Sequence, residues 1–290
     1  RKRSVKIVVC DPIDDTALAL LAGRSDLQVH GCPKPPSEDE LLALVRDAEA
    51  LIVRSQTKVT ARVLAAAGRL RAVGRAGAGV DNVDLAEATR RGVVVMNAPE
   101  GNSIAAAEHT LSLLMSLARH IPQANRSLRE GRWERSKFTG VELSGKTLGV
   151  LGFGRVGREI ARRALAGRMR VLAYDPFVPA QVIRDLGAEP ADLNAALSES
   201  DFLTLHLPLT EQTRGLIGRD SLARLKRGAR IVNCARGELI DEPALAEAIR
   251  DGRVAGAALD VFREEPPVDR TLIEMDQVIA PAVRAKDLPR

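Results

Sequence analysis

The chain has 290 residues, 45% of them hydrophobic, which suffices for two ordinary cores, and its formal charge of +5 is carried mostly by arginine. The basic residues are scattered, and aromatics make up only 2% of the chain, so the charge does not read as a nucleic-acid surface. Three cysteines outside any Cys-x-x-Cys spacing point to a reducing cytoplasm and away from a disulfide framework or a metal site, and no apolar run reaches the roughly 18 residues of a membrane span.

In chain order, the apolar run 5–10 predicts a buried parallel strand, followed by a short helix over 16–23 and a strand at 28–30. Ser37 with an acid three residues on opens a helix through Val45, and Ala50-Leu51-Ile52-Val53 is again a strand. Helices at 60–67 and 83–91 alternate with strands at 70–74 and 93–96, giving a parallel sheet of about five strands. A long helix over 103–120 is apolar on more than one face, which predicts burial or an interface. Strands at 148–151, 171–174, 202–205, 230–233, 257–260 and 277–279 then alternate with helices near 179–185, 193–199, 219–225 and 242–251. The expected fold class is α/β, two doubly wound parallel sheets in tandem, the first flavodoxin-like and the second Rossmann-like.

The chemistry concentrates where strands end. Gly152-Phe153-Gly154-Arg155-Val156-Gly157 follows an apolar strand and opens a helix. In that spacing Gly152 permits a tight turn, Gly154 lets the backbone approach a pyrophosphate, and Gly157 lets helix pack on strand. The helix N-terminus adds N–H groups and positive dipole for phosphates. About twenty residues on, Asp175 ends a second strand, placed to accept from the ribose hydroxyls of NAD and to repel a 2′-phosphate. Three further strand ends carry His206-Leu207-Pro208, Asn233-Cys234-Ala235-Arg236-Gly237 and Asp260 through Glu265. Arg236 offers a planar bidentate donor for a carboxylate, and Glu265 a charge able to tune a neighbouring base.

These pieces, with Val53-Arg54-Ser55-Gln56-Thr57, the run Gly74 to Asp84, Asn97 to Ser103 and Gly131-Arg132-Trp133, resemble the D-isomer-specific 2-hydroxyacid dehydrogenases over nearly the whole chain. The resemblance implies hydride transfer between C2 of a 2-hydroxy acid and NAD, with Arg236 and Glu265 catalytic. It places Ala78, Gly152, Gly154, Arg155, Val156, Gly157, Asp175, His206, Leu207, Pro208, Cys234, Ala235, Arg236 and Asp260 around the cofactor. Arg54, Ser55, Arg75, Gly77, Asn102 and Arg135 would bind a small phosphorylated 2-hydroxy acid. It further implies a substrate-binding domain over 1–98, an NAD-binding domain over 99–282 with the long interface helix, and a homodimer through about 103–135.

One departure is functional. The family's proton-accepting His follows the last strand, and here Ala280-Pro281-Ala282-Val283-Arg284 stands there, with Ala282 at the His position. The segment 283–290 reads as an atypical tail, without the helix that returns to the first domain. Two alternatives follow: another D-2-hydroxyacid dehydrogenase, of glyoxylate or lactate type, or an inactive NAD(H)-sensing protein that grips partners.

Overall fold

A computed structural model describes residues 4–99 and 101–281. Ala282 and the tail expected at 283–290 lie outside the described residues. The chain divides into two compact units, 1–102 and 103–290.

In the first unit β1 (Val5–Val9), α1 (Asp15–Ala22), β2 (Leu27–Gly31), α2 (Glu38–Leu44), β3 (Ala50–Val53), α3 (Ala61–Ala66), β4 (Ala72–Arg75), α4 (Leu85–Arg90) and β5 (Val94–Asn97) alternate strictly. The strands pair in the order β2-β1-β3-β4-β5, all parallel, as in flavodoxin-like sheets. Val8, Leu51, Val53 and Val73 are fully buried between the helical layers, which is why these strands read as continuous apolar runs. Side chains set the helix starts: Ser37 and Glu40 form a reciprocal capping box, and Asp14, Thr60 and Asp84 each accept a first-turn N–H.

In the second unit come α5 (Ser103–Arg119), α6 (Ile121–Arg129), β6 (Thr147–Leu151), α7 (Arg155–Ala166), β7 (Arg170–Tyr174), α8 (Ala180–Asp185), β8 (Glu189–Pro190), α9 (Leu193–Ser198), β9 (Phe202–Leu205), α10 (Arg219–Arg224), β10 (Ala229–Asn233), α11 (Glu242–Arg250), β11 (Val254–Leu259) and β12 (Val278–Ile279). Their order is β12-β11-β10-β9-β6-β7-β8, again all parallel, the Rossmann arrangement. Two apolar clusters fill its two faces. Leu203, Leu205, Leu245 and Leu259 lie in one, and Leu114, Leu148, Phe153 and Ile160 in the other.

The structure differs from the sequence expectation in three places. The helix predicted over 103–120 ends at Arg119, because His120 turns left-handed at φ 53°, and Pro122 near the start of α6 launches a second helix. The two-residue β8 carries too little pattern to be seen. The compact units part after residue 102, where the sequence expectation put the boundary after 98, and Asn97 Nδ2 donates to Ala78 O at 2.6 Å and Ala98 N to Gly77 O at 3.0 Å. These bonds hold that segment to the end of β4.

Candidate functional site

Each sheet reverses its strand order once, and a crevice opens at such a switch point beyond the strand C-termini. In the second unit the reversal falls between β6 and β9. Gly152 follows β6 at φ +96°, and a Cβ there would stand 2.6 Å from the His206 carbonyl carbon and 2.8 Å from Leu207 N. Only glycine lets these two strand ends touch. A Cβ on Gly157 would lie 2.0 Å from Gly152 O, so the first turn of α7 is pressed against the loop. Gly154 is the opposite case, with nothing within 4 Å of its Cβ position. The loop is therefore closed on its sheet side and open at its crest, a cradle that fits a pyrophosphate.

Asp175, just past β7, accepts from Phe153 N at 2.8 Å through Oδ2 and from Phe177 N at 2.9 Å through Oδ1. It thus ties the glycine loop to the turn after β7. Each oxygen has a second lone pair, which suits it to ribose hydroxyls. Past β9, His206 N donates to Leu151 O at 2.7 Å, and its Nε2 lies 3.0 Å from Thr204 Oγ1 of the same strand.

After β10, the buried Asn233 makes both kinds of bond with its amide: Oδ1 accepts from Ala235 N at 3.0 Å, and Nδ2 donates to Arg236 O at 2.8 Å. The turn carrying Arg236 is thereby folded over a single side chain. Asn233 O also accepts from Asp260 N at 3.0 Å, which registers the end of β11 against the same residue. A Cβ on Gly237 would lie 1.9 Å from the Phe262 carbonyl carbon, so the loops after β10 and β11 interlock backbone to backbone. Glu265 is exposed, with Oε1 accepting from Phe262 N at 3.3 Å. Cys234 and Leu207 are buried, Pro208 is exposed, and Ala235, Arg236 and Asp260 are half-buried at the sheet edge.

In the first unit the reversal falls between β1 and β3. Asp11, 1% exposed, follows β1 there, accepting from Arg54 N, from Thr57 Oγ1 at 2.7 Å and from Thr57 N at 3.3 Å. From the other side Asn82 Nδ2 donates to Arg54 O at 2.7 Å and Thr57 O at 2.6 Å. The loop bearing Arg54 and Ser55 is held as a staple. Arg75 ends β4, and a Cβ on Gly77 would stand 1.6 Å from its Nη1, so the guanidinium lies across the glycine. Ala78 and Asn102 are half-buried in this unit. Arg135 lies in an exposed 3-10 turn of the second unit, with its guanidinium 5.8 Å from the Trp133 ring centre. Asp11, Thr57, Asn82 and the Asn233 amide escape a reading of the sequence. Their only signal is a short polar residue at or within a few positions of a strand end, which also marks ordinary turns.

Residues 111–282 match the family model described as D-isomer specific 2-hydroxyacid dehydrogenase, NAD binding domain. The chain belongs to the D-isomer-specific 2-hydroxyacid dehydrogenase family. Its second unit is that family's NAD-binding domain, and its cofactor is NAD, as the open crest at Gly154 and the acid at Asp175 led one to expect. Among relatives, the D-3-phosphoglycerate dehydrogenase of Methanocaldococcus jannaschii is 48% identical over 277 residues, covering 95% of this chain and 52% of that protein. That of Rattus norvegicus is 50% identical over 275 residues, covering 95% of this chain and 51% of the other. The chain therefore spans about half the length of the curated relatives it matches. Among solved structures, the TT0316 protein from Thermus thermophilus superposes with a TM-score of 0.86 at 34% identity, covering 97% of this chain and 90% of that one. Among the described residues, no helix is long and apolar enough to cross a membrane, and no cluster of metal-ligating side chains is present.

Proposed function

We propose that this chain is the dehydrogenase portion of a D-3-phosphoglycerate dehydrogenase, which oxidises the C2 hydroxyl of D-3-phosphoglycerate to 3-phosphohydroxypyruvate at the head of serine biosynthesis. The observation that carries the reading is the Arg236 turn, folded over Asn233 at the same sheet edge as the glycine loop. When bound, NAD supplies the hydride acceptor. Arg236 grips the substrate carboxylate through its planar fork and polarises the C2 oxygen. Asp175 selects NAD by accepting from ribose hydroxyls where a 2′-phosphate would be repelled. Arg54 and Arg75, each braced at a strand end of the first unit, supply the positive charge for phosphate and carboxylate, with Ser55, Gly77 and Asn102 beside them and Arg135 contributed across a homodimer. Glu265 would tune a histidine standing after the last strand.

At that last position this chain carries Ala282, which can take no proton. A general base contributes about 10²–10⁴-fold to such a step, so turnover by the chain as it stands is slowed by about that factor while NAD binding persists. Ala282 also favours a second reading, an NAD(H)-sensing protein without turnover. The two separate in one assay of NADH formation from D-3-phosphoglycerate, run on this chain and on its Ala282→His form, with D-lactate and glycolate in parallel. The dehydrogenase reading expects D-3-phosphoglycerate to be preferred and its rate to rise with the histidine. Binding of NADH with no turnover of any 2-hydroxy acid by either chain leaves the sensor.

A further inference from the structure

The second unit gathers charge at the N-terminal ends of its strands, across the sheet from the glycine loop. A strand of β6's five residues spans roughly 15 Å, so the two ends are chemically separate. At the far end lies an open cavity of about 150 Å³, where Lys146, Lys226, Arg227 and Arg230 line the wall with one acid, Asp201. A tight turn before β10 delivers three of these cations: Gly228 takes φ +83°, and Ala229 N donates to Lys226 O at 3.0 Å. Asp201 is already committed, Oδ2 accepting from Thr147 N at 2.8 Å and Oδ1 from Lys226 Nζ at 3.2 Å. Arg227 is committed in part, with Nη2 donating to Asp251 O at 2.8 Å just past α11. Arg230 has no such partner. Its guanidinium stands 5.6 Å from the Phe202 ring centre, its Nε is buried without an acceptor, and no carboxylate among the described residues pairs with it. Burial pulls its pKa down, yet a guanidinium keeps its proton, so a positive charge stands half out of water with nothing to balance it. That arrangement costs stability which an apolar residue at the start of β10 would spare.

We propose that this cavity binds a dianionic phosphate, inorganic or a small monoester, gripped by the Arg230 fork with Lys146 and Lys226 beside it. The site is separate from the dehydrogenase chemistry and stands whichever acid the chain oxidises. Its volume is well under the roughly 300–1,000 Å³ of pockets that enclose drug-sized ligands, so a phosphoryl group fits and a nucleotide does not. The guanidinium meets two phosphate oxygens with parallel N–H bonds, and the ammonium groups add charge without fixed direction. Four cations against one acid favour a dianion over chloride or a single carboxylate. A bound phosphate turns the unbalanced Arg230 charge from a cost into a gain. A packing role for Arg230 makes a different demand: the fold then loses stability without it whether or not an anion is present.

The experiment titrates the full chain, in the presence of NADH, with inorganic phosphate at constant ionic strength, and reads calorimetry and thermal unfolding. Arg230→Met, which keeps an apolar stem against Phe202, is expected to weaken phosphate binding about tenfold. Lys146→Gln is expected to weaken it about threefold, and both variants to hold NADH within about twofold of the parent. Without phosphate the methionine chain is expected to melt above the parent, and added phosphate to narrow that gap. Phosphate beside Arg230 also offsets the charge that helps hold the His120 imidazole low, so the proton NMR titration of His120 is expected to move toward 6.5 in the parent and to stay put in the methionine chain. Glycerol 3-phosphate in parallel separates the sources: tighter binding of the ester marks a metabolite site, and tighter binding of the free ion marks an inorganic phosphate site. Phosphate affinity equal in parent and methionine chains, or a lower melting point for the methionine chain at every phosphate concentration, overturns the proposal and leaves Arg230 a packing residue. Binding of heparin with none of phosphate overturns it as well and makes the face a polyanion surface. If the methionine chain fails to fold, Lys146→Gln decides, and an unchanged phosphate affinity in that chain sinks the site.

Discussion

At the scale of single residues, the site is built less by the groups that meet ligand than by short polar side chains behind them. Asn233 is the clearest case, since one amide closes the Arg236 turn by donating and accepting at once. Asp at this position keeps the acceptor and loses the donor. Asn233→Asp is therefore expected to weaken binding of D-3-phosphoglycerate to the NADH-loaded chain about tenfold, measured by calorimetry, with NADH affinity changed less than about threefold. In the first unit Gly77 plays the corresponding part for Arg75. A methyl group at Gly77 displaces the Arg75 guanidinium and also strains a backbone held at φ +155°. Gly77→Ala is expected to cost phosphorylated acids about tenfold in affinity and to lower the melting temperature as well. An equal loss for D-lactate would show that Arg75 reads the carboxylate and leaves the phosphate to other groups.

At the scale of elements, what could be read in advance was the alternation, and the reason is burial. Strands such as Thr147–Leu151, covered on both faces, must be apolar throughout, and helices between them announce their starts with Ser37, Thr60, Asp84, Asp192 and Asp241. The three glycines likewise carry their geometry openly. The end of the long helix at His120 was legible, whereas α6 behind it was not read, although Pro122 marks its first turn. Neither were the braces at Asp11 and Asn82, whose partners lie 43 and 28 residues away in the chain.

Two predictions belong at this scale. Gly152→Ala drives a methyl group into the backbone between His206 and Leu207, where no side chain can yield. Loss of NADH binding together with a lowered melting temperature is expected; an unchanged melt would mean that the two strand ends can part. At the α5–α6 corner, burial and the nearby Arg230 hold the His120 imidazole below its ordinary value of 6.5. The folded state thus binds this proton less readily than the unfolded chain, and acidification through pH 6.5 lowers stability. Asn also tolerates left-handed φ, so His120→Asn should keep the corner and flatten the decline in denaturation midpoint between about pH 7 and pH 5.

At the scale of the molecule, the two units use one architecture twice, with dinucleotide geometry in the second and, in the proposed function, the arginines that bind anions in the first. The run from α5 to the 3-10 turn leaves Met115, Ile121, Leu128 and Trp133 exposed, between 51% and 74%. Scattered apolar residues are ordinary, but four along one stretch with Arg135 beside Trp133 support the proposed homodimer. Trp133 is the sole tryptophan, which makes it a reporter. Its emission is expected to shift to shorter wavelength as concentration rises through the dimer range, and Trp133→Glu to yield a monomer in light scattering. Red emission at all concentrations and a monomeric mass for the parent chain would remove the dimer, and Arg135 with it.

The interlock of Gly237 with the backbone of Phe262 and Arg263 bears on how such a protein can diversify. Two loops that share one van der Waals space cannot drift independently: an insertion in either must be answered in the other. The loops around Arg54 and Arg75 are tied to each other as well, by Asn82 and by backbone bonds of Val59 with Asn82 and Asp84, but through hydrogen bonds that a reshaped loop can make again and not through a glycine contact. New acid preferences should therefore arise by lengthening or reshaping the first unit's loops, and libraries randomised there should retain folded, NADH-binding members far more often than libraries randomised at 236–237 or 262–263.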